Sequence, residues 1–90
     1  MEIEWDENKR NQTLVERGLD FADVAHFDWD SSVYTEDQRY DYGETRYVAF
    51  GFIDQTLVCL AYTLRQEALR VISLRKASVK ERKLYESAID

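Results

Sequence analysis

The chain has 90 residues, of which 44% are hydrophobic and 33% are charged, and its net charge is −6 at neutral pH. That length supplies one hydrophobic core, so we expect a single domain over residues 1–90. One Cys and one His exclude an internal disulfide and a Cys/His metal cluster, and no apolar run is long enough to cross a bilayer. The first residues lack the basic start and apolar stretch of a secretory signal, which predicts a cytoplasmic protein.

The charges are divided unevenly along the chain. Residues 65–83 hold seven Lys or Arg against two acids, whereas residues 1–64 hold five cations against fourteen acids. The acidic total opposes nucleic-acid binding, because neutralising phosphates supplies most of the non-specific affinity. The division nevertheless predicts a basic C-terminal third that could contact phosphate, and an acidic remainder that could meet a basic partner.

The first third of the chain predicts one strand and two short helices. Apolar residues alternate with acids over Ile3–Trp5, as in a strand. Asp6 is a typical N-cap and Gly18 a typical C-cap for a helix between them. Asp20, with Asp23 three residues later, predicts the start of a second helix over residues 21–27.

The remainder of the chain predicts four strands and a final helix. The strands are expected at Ser32–Thr35, Arg46–Ile53, Leu57–Leu64 and Ala68–Leu74, with a polar loop at Glu36–Gly43. The joins between the last three runs are brief and polar, which predicts an antiparallel meander. Ser78 and Glu81 match a capping box that starts a helix from Val79 to about Ala88. The order β-α-α-β-β-β-β-α predicts an α+β sandwich with helices on one face of a mostly antiparallel sheet.

Several short sequence blocks follow one another over nearly the whole chain. They are W-D-E-N-K at 5–9, R-G-L-D-F-A-D at 17–23, G-E-T-R-Y at 43–47, Y-T at 62–63 and R-V-I-S-L-R-K-A-S at 70–78. The most specific is I-S-x-R-K-A-S-x-x-E-R-x-x-Y-E at residues 72–86. In this order the blocks resemble the BrnT toxins, a family once catalogued as a domain of unknown function.

The resemblance implies a RelE-like fold and a ribonuclease toxin of a type II toxin–antitoxin system that inhibits translation and growth. It also implies a hetero-oligomer with a BrnA-type antitoxin, whose ribbon-helix-helix end binds operator DNA for the complex.

Two positions depart from the family. The family often has Lys-His where this chain has Glu16-Arg17, so a catalytic part for that Lys or His does not carry over. Leu74 replaces the usual Ala, a change that we expect to affect packing alone.

RNA is cleaved by its own 2′-hydroxyl when a base, a cation for the phosphorane charge and an acid for the leaving oxygen are supplied, and this needs no metal or cofactor. Arg75 is our first candidate for the cation and Lys76 for substrate binding. Both end the last predicted strand, just before the capped helix, whose N–H groups could help to hold a phosphate. The alternative is a solvated strand end that pairs with an acid.

Glu44 and Arg46 are two residues apart in a strand and therefore share a face. They could form a base beside a phosphate clamp or an ordinary surface ion pair, and the resemblance favours the catalytic interpretation. Arg65 follows the Tyr62-Thr63 stretch and is expected to face the site and bind substrate, whereas Arg70 is expected to face solvent.

Other residues keep two interpretations. Tyr62 could stack on a base, but a position in the core is favoured. His26 titrates near neutral pH, yet a structural or exposed position is favoured because no partner is in view. Cys59, in an apolar run, is expected to be a buried thiol.

Two other functions stay open on this sequence. The chain could be a non-catalytic acidic module that binds a basic protein, in which case its arginines would serve ion pairs. It could also bind nucleic acid without cleaving it, although its acidic balance disfavours this. The general base cannot be named from the sequence.

Overall fold

The computed structural model describes residues 1–89, which form five strands, two α-helices and a 3₁₀ helix. In chain order they are β1 (Glu2–Glu4), α1 (Glu7–Arg17), the 3₁₀ helix (Phe21–His26), β2 (Val33–Asp37), β3 (Arg46–Ile53), β4 (Thr56–Arg65), β5 (Ala68–Lys76) and α2 (Val79–Ile89). The second predicted helix is therefore a 3₁₀ helix. The polar loop expected from residue 36 begins later than predicted, because Glu36 and Asp37 still pair with β3.

The five strands form one sheet in the order β1-β5-β4-β3-β2. Strands β2 to β5 are an antiparallel meander, and β1 joins the edge of β5 in parallel. The two hairpins that flank β4 have two-residue turns, in which Asp54 and Gln66 each adopt a φ of 54°. Such turns follow the right-handed twist of the strands and fix their register. An α+β fold with a mostly antiparallel sheet is thus confirmed.

The helix caps predicted from the sequence are present. Asp6 accepts a hydrogen bond from the backbone N–H of Asn8, and Gly18 ends α1 in the left-handed conformation with a φ of 69°. At the start of α2, the Glu81 backbone N–H donates to the Ser78 hydroxyl at 3.1 Å, and the Ser78 N–H donates to the Glu81 carboxylate at 2.9 Å. Each cap satisfies N–H or C=O groups that a helix end leaves without an internal partner.

One side of the sheet, the inner face, packs on the N-terminal part of the chain. Ala49, Leu60 and Leu74 lie side by side on β3, β4 and β5 and are 0% exposed. Phe21 and Val24 of the 3₁₀ helix complete this core. On the same face Gly51 leaves room for a ring: a Cβ there would lie 2.6 Å from a Phe27 ring carbon. The core therefore lies between the inner face and the 3₁₀ helix.

The other side of the sheet, the outer face, is partly covered by α2. Phe52 alternates with the core residues of β3, and its ring lies 5.8 Å from that of Tyr85 on α2. Arg75 alternates with Leu74 and bonds to Glu81 of α2. The expectation that all helices lie on one face was therefore wrong. Apolar side chains such as Phe52 on the outer face need cover of their own, and α2 supplies it.

Strand β5 contains a bulge in its middle. Ala61 of β4 pairs with Ser73, but the next residue, Tyr62, pairs with Val71, so Ile72 is an extra residue. An extra residue changes the alternation of the strand. Positions on the two sides of the bulge that are an odd number apart therefore share a face.

Candidate active site

A row of polar side chains crosses the outer face beyond the end of α2. Arg46 on β3 pairs with Thr63 on β4, and Thr63 pairs with Arg70 on β5. Arg70 is five positions before Arg75, and the bulge brings both residues to the outer face. We predicted from the sequence that Arg70 faces solvent. Its side chain is half-buried in the structure, with its guanidinium 4.0 Å from the Glu4 carboxylate.

The Glu44 carboxylate gathers two guanidinium groups at one end of this row. Arg46 Nε donates to one Glu44 oxygen at 3.1 Å, and the Arg65 guanidinium donates to the other at 3.3 Å. The bond from Arg46 lowers the pKa of the Glu44 carboxyl, and the bond from Arg65 adds to the effect. Glu44 is therefore ionised at neutral pH. We call Glu44, Arg46 and Arg65 the Glu44 cluster.

The loop before β3 holds the Glu44 cluster in place. The Arg46 guanidinium lies 4.1 Å from the centre of the Tyr42 ring, within the range of a cation–π contact. The Tyr42 hydroxyl donates to the Asp37 carboxylate at 2.9 Å, and the buried Thr63 hydroxyl donates to the Thr45 carbonyl at 2.6 Å. Tyr42 was not among the predicted site residues. No local pattern distinguishes it from Tyr40, the other tyrosine of its loop.

Arg75 forms a clamp between the sheet and α2. Its two terminal nitrogens donate to the two oxygens of Glu81 at 2.7 and 2.8 Å. This bond lowers the pKa of the Glu81 carboxyl from its usual 4.5 to about 2, and the Ser78 N–H contributes. Arg75 thus stands at the start of α2 as predicted, but it bonds to a carboxylate there. Its side chain is 43% exposed, so one side of it is open to a ligand.

The predicted site residues do not all come together. Arg75 pairs with Cys59, four residues from Thr63 along β4, which separates the clamp from the Glu44 cluster by about 13 Å along the strand. Lys76 pairs with Val58, a core residue of the inner face, and is exposed. Consecutive strand residues point to opposite faces, so Lys76 and Arg75 leave the sheet on different sides.

The structure gives the positions of the residues for which the sequence left two interpretations. Tyr62 is 5% exposed and its ring stacks on Tyr47 at 5.4 Å, so the core interpretation is confirmed. His26 is exposed at the end of the 3₁₀ helix. Arg17 donates to the Leu74 carbonyl at 3.0 Å, which ties α1 to β5. Cys59 is buried, and burial raises the pKa of its thiol, as expected of a structural residue.

Residues 1–89 contain no group of three His, Cys, Asp or Glu side chains arranged to hold a metal ion. No helix in this range is long and apolar enough to cross a membrane.

Comparison with known proteins identifies the family. The model of the family described as "Ribonuclease toxin, BrnT, of type II toxin-antitoxin system" matches residues 5–81. The chain belongs to the BrnT family. The crystal structure of the Brucella abortus ribonuclease toxin BrnT superimposes with a TM-score of 0.69 and 33% sequence identity, covering 87% of this chain and 97% of that one. No curated protein matches the sequence significantly.

BrnT membership confirms the resemblance found in the sequence blocks. The chain is a ribonuclease toxin of a type II toxin–antitoxin system, and such a toxin implies an RNA substrate and an antitoxin partner. Membership therefore favours the ribonuclease over a purely binding module. The matched range includes the Glu44 cluster and the Arg75–Glu81 clamp, so both belong to the part of the chain that the family shares.

Proposed function

We propose that this chain is a metal-independent endoribonuclease in which the RNA 2′-hydroxyl attacks the adjacent phosphate at the Glu44 cluster. One observation carries the proposal: a single carboxylate holds two partly exposed guanidinium groups on an open part of the sheet. A guanidinium has five N–H donors, and each arginine donates only one of them to Glu44. The remaining donors are free to take a phosphate.

In this mechanism Arg46 and Arg65 neutralise the charge that develops on the phosphorane, which is the task that preorganised cations perform best. Glu44 fixes both guanidinium groups and is ionised at neutral pH, so it can accept the proton of the 2′-hydroxyl. The Glu44–O–H bond forms as the 2′-oxygen attacks phosphorus and the bond to the 5′-oxygen breaks. The leaving oxygen takes a proton from the site or from water.

The other cations extend the site. Arg75 was our first candidate for the catalytic cation, and because it lies about 13 Å along the strand from the Glu44 cluster we assign it a contact with a neighbouring phosphate of the RNA. Lys76 was expected to bind substrate, but it leaves the sheet on the other side, so this path of the RNA does not include it. Arg70 is a further phosphate contact, because it shares the row of Arg46 on the outer face. Support for Arg75 comes from its exposed guanidinium, which uses its terminal nitrogens in the bond to Glu81 and keeps other N–H groups. RNA would then lie across the outer face beside α2.

We propose that in the cell the chain is a cytoplasmic toxin with a RelE-like fold, and that it inhibits translation and growth. Its partner is a BrnA-type antitoxin with a ribbon-helix-helix end, and the hetero-oligomer contacts operator DNA only through that partner. The support is family membership together with the acidic surface of residues 1–64, which suits a cationic partner.

To test this, the chain is expressed from a tight inducible promoter, either alone or together with the neighbouring reading frame. Growth and bulk RNA integrity are followed in both cases. We expect growth arrest with RNA degradation, relieved by the neighbour. The purified protein should also cleave RNA in excess EDTA. Normal growth with intact RNA, from a protein shown to be folded, would instead support the acidic interaction module. Activity that EDTA abolishes would reject metal independence.

A further inference from the structure

An apolar groove of about 270 Å³ lies between α2 and β2. Val33, Thr35 and Phe50, which share the outer face, line it from the sheet, and Leu84, Tyr85 and Ala88 line it from the helix. Leu84 is 63% exposed, and Thr35 and Ala88 are exposed as well. Adjacent exposed hydrophobic residues around a concave surface mark an interaction site more often than scattered ones do.

The sheet side of this groove is an edge strand. β2 is the last strand in the sheet order, so within residues 1–89 only one of its edges is paired. A free edge offers backbone N–H and C=O groups to another chain, and proteins usually protect it with charged side chains, especially Lys, or with Pro. In β2 the three residues beside the groove, Val33, Tyr34 and Thr35, carry no charge, and the acids Glu36 and Asp37 follow them. A groove beside an open edge suits an extended or helical peptide segment.

The charge around β2 indicates the chemistry of that segment. Residues 28–41 carry five acids, Asp28, Asp30, Glu36, Asp37 and Asp41, against one cation, Arg39. Such a surface repels phosphates and attracts Lys and Arg. A nucleic acid is therefore a poor occupant, and a second acidic copy of this chain would bring like charges together at this rim. A cationic protein segment with apolar side chains fits both the groove and the acidic β2 side of its rim.

We propose that the groove between α2 and β2 is the docking site of the antitoxin, and that the docking segment carries apolar side chains flanked by Lys or Arg. The proposal deepens the proposed function and rests on it for the identity of the partner. It also gives neutralisation a structural route. Glu81 lines the groove and holds Arg75, so a bound segment lies directly beside one of the cations assigned to the RNA.

The test uses the full-length chain and the protein product of the reading frame next to it. Thr35→Glu and Leu84→Glu each place a charge in the groove at an exposed position, so the fold should be kept. The matched control is Val15→Glu on α1, which is 86% exposed and lies outside the groove. Calorimetry measures the Kd for the partner, RNA cleavage is measured without the partner, and sedimentation measures self-association.

We expect the Kd to rise about 30-fold or more for each groove variant, with the control within about 3-fold of the wild type. RNA cleavage without the partner should be unchanged in all three variants. Glu36→Lys should weaken partner binding more at low salt than at high salt. The reason is that the negative charge of residues 28–41 attracts a cationic segment, and salt screens this attraction.

Four results would overturn the proposal. Unchanged partner affinity in the groove variants, or no binding by the wild type, would exclude the groove as the docking site. Variants that alter only self-association would assign the groove to a second copy. Variants that lose RNA cleavage would assign it to the substrate. A failure of the proposed function looks different, since the wild type would then bind its neighbour without cleaving RNA.

Discussion

The outer face carries two carboxylate–guanidinium groups that have the same chemistry and different surroundings. In the Glu44 cluster one carboxylate holds two arginines through single bonds of 3.1 and 3.3 Å. In the Arg75–Glu81 clamp one arginine makes a bidentate pair at 2.7 and 2.8 Å, and the carboxylate also caps α2. The clamp joins a helix to the sheet, whereas the Glu44 cluster lies beyond the end of α2.

The two groups differ in how many of their donors and acceptors are already occupied. This difference distinguishes a structural ion pair from one that can bind a ligand. The Glu81 oxygens are occupied by Arg75 and by the backbone N–H of Ser78, so breaking this pair also weakens a helix start. The two arginines of the Glu44 cluster keep most of their donors, and each makes one hydrogen bond to Glu44, to which Arg46 adds its contact with the Tyr42 ring. Mutations should therefore affect mainly activity at the first group and mainly stability at the second.

The largest effect should come from Arg46→Ala. Removing a preorganised cation from the phosphorane should lower RNA cleavage about 100-fold or more, with little change in thermal stability. The matched control is Lys9→Ala, which removes one positive charge from exposed α1. Purified variants are compared by initial rates of RNA cleavage. Full activity of Arg46→Ala would remove the Glu44 cluster from the mechanism.

A smaller effect, mainly on stability, is expected at the clamp. Arg75→Ala and Glu81→Ala break the same pair, so each should lower the free energy of unfolding by about 1–2 kcal/mol. Arg75→Ala should also reduce RNA cleavage and growth inhibition, but by less than the loss of Arg46, because Arg75 is distant from the Glu44 cluster. Glu81→Ala leaves the guanidinium in place and should keep RNA cleavage under conditions where it is folded. Urea unfolding and cleavage rates are measured on both variants.

Equal loss of cleavage in these two variants would make Arg75 a purely structural residue. Wild-type toxicity of Arg75→Ala would remove it from the site altogether.

The smallest effect concerns acid stability. The folded-state pKa of Glu81 is about 2, below the usual 4.5, so its contribution is complete above pH 4.5 and is lost as the pH falls through about 2. The wild type should lose about 1 kcal/mol more than Glu81→Gln between pH 7 and pH 3, after allowance for solvent screening. Urea titrations at the two pH values measure the difference, and parallel losses would show that Glu81 gains nothing from Arg75.

Most of the secondary structure could be predicted because its signals are local. Capping residues such as Asp6, Gly18 and Ser78 determine where the helices begin and end, and β3 was predicted with its observed bounds. The 3₁₀ helix was predicted as an ordinary helix, because the same Asp20 cap starts either kind. The face covered by α2 could not be predicted, since it depends on which strand positions pair across the sheet.

The site was predicted only in part, for the same reason. Glu44 and Arg46 are close in sequence, and their contact follows from strand alternation. The bond from Arg65 to Glu44 also agrees with the expectation that Arg65 faces the site. The partner of Arg75 was not predicted, although Glu81 had been assigned to the capping box, because one carboxylate performs both tasks. The catalytic assignments themselves stay predictions.

The bulge at Ile72 makes the phase of β5 depend on a single residue. Leu69 and Val71 are buried on one side of the bulge and Leu74 on the other, although Val71 and Leu74 are three positions apart. If that extra residue were deleted, Val71 and Ser73 would become neighbours and would still pair with Tyr62 and Ala61. Regular alternation would then keep Leu74 on the inner face and Arg70 on the outer face. A one-residue deletion at the bulge should thus be less harmful than one elsewhere in β5, so the bulge is the point at which the strand can change its length without changing which residues it buries.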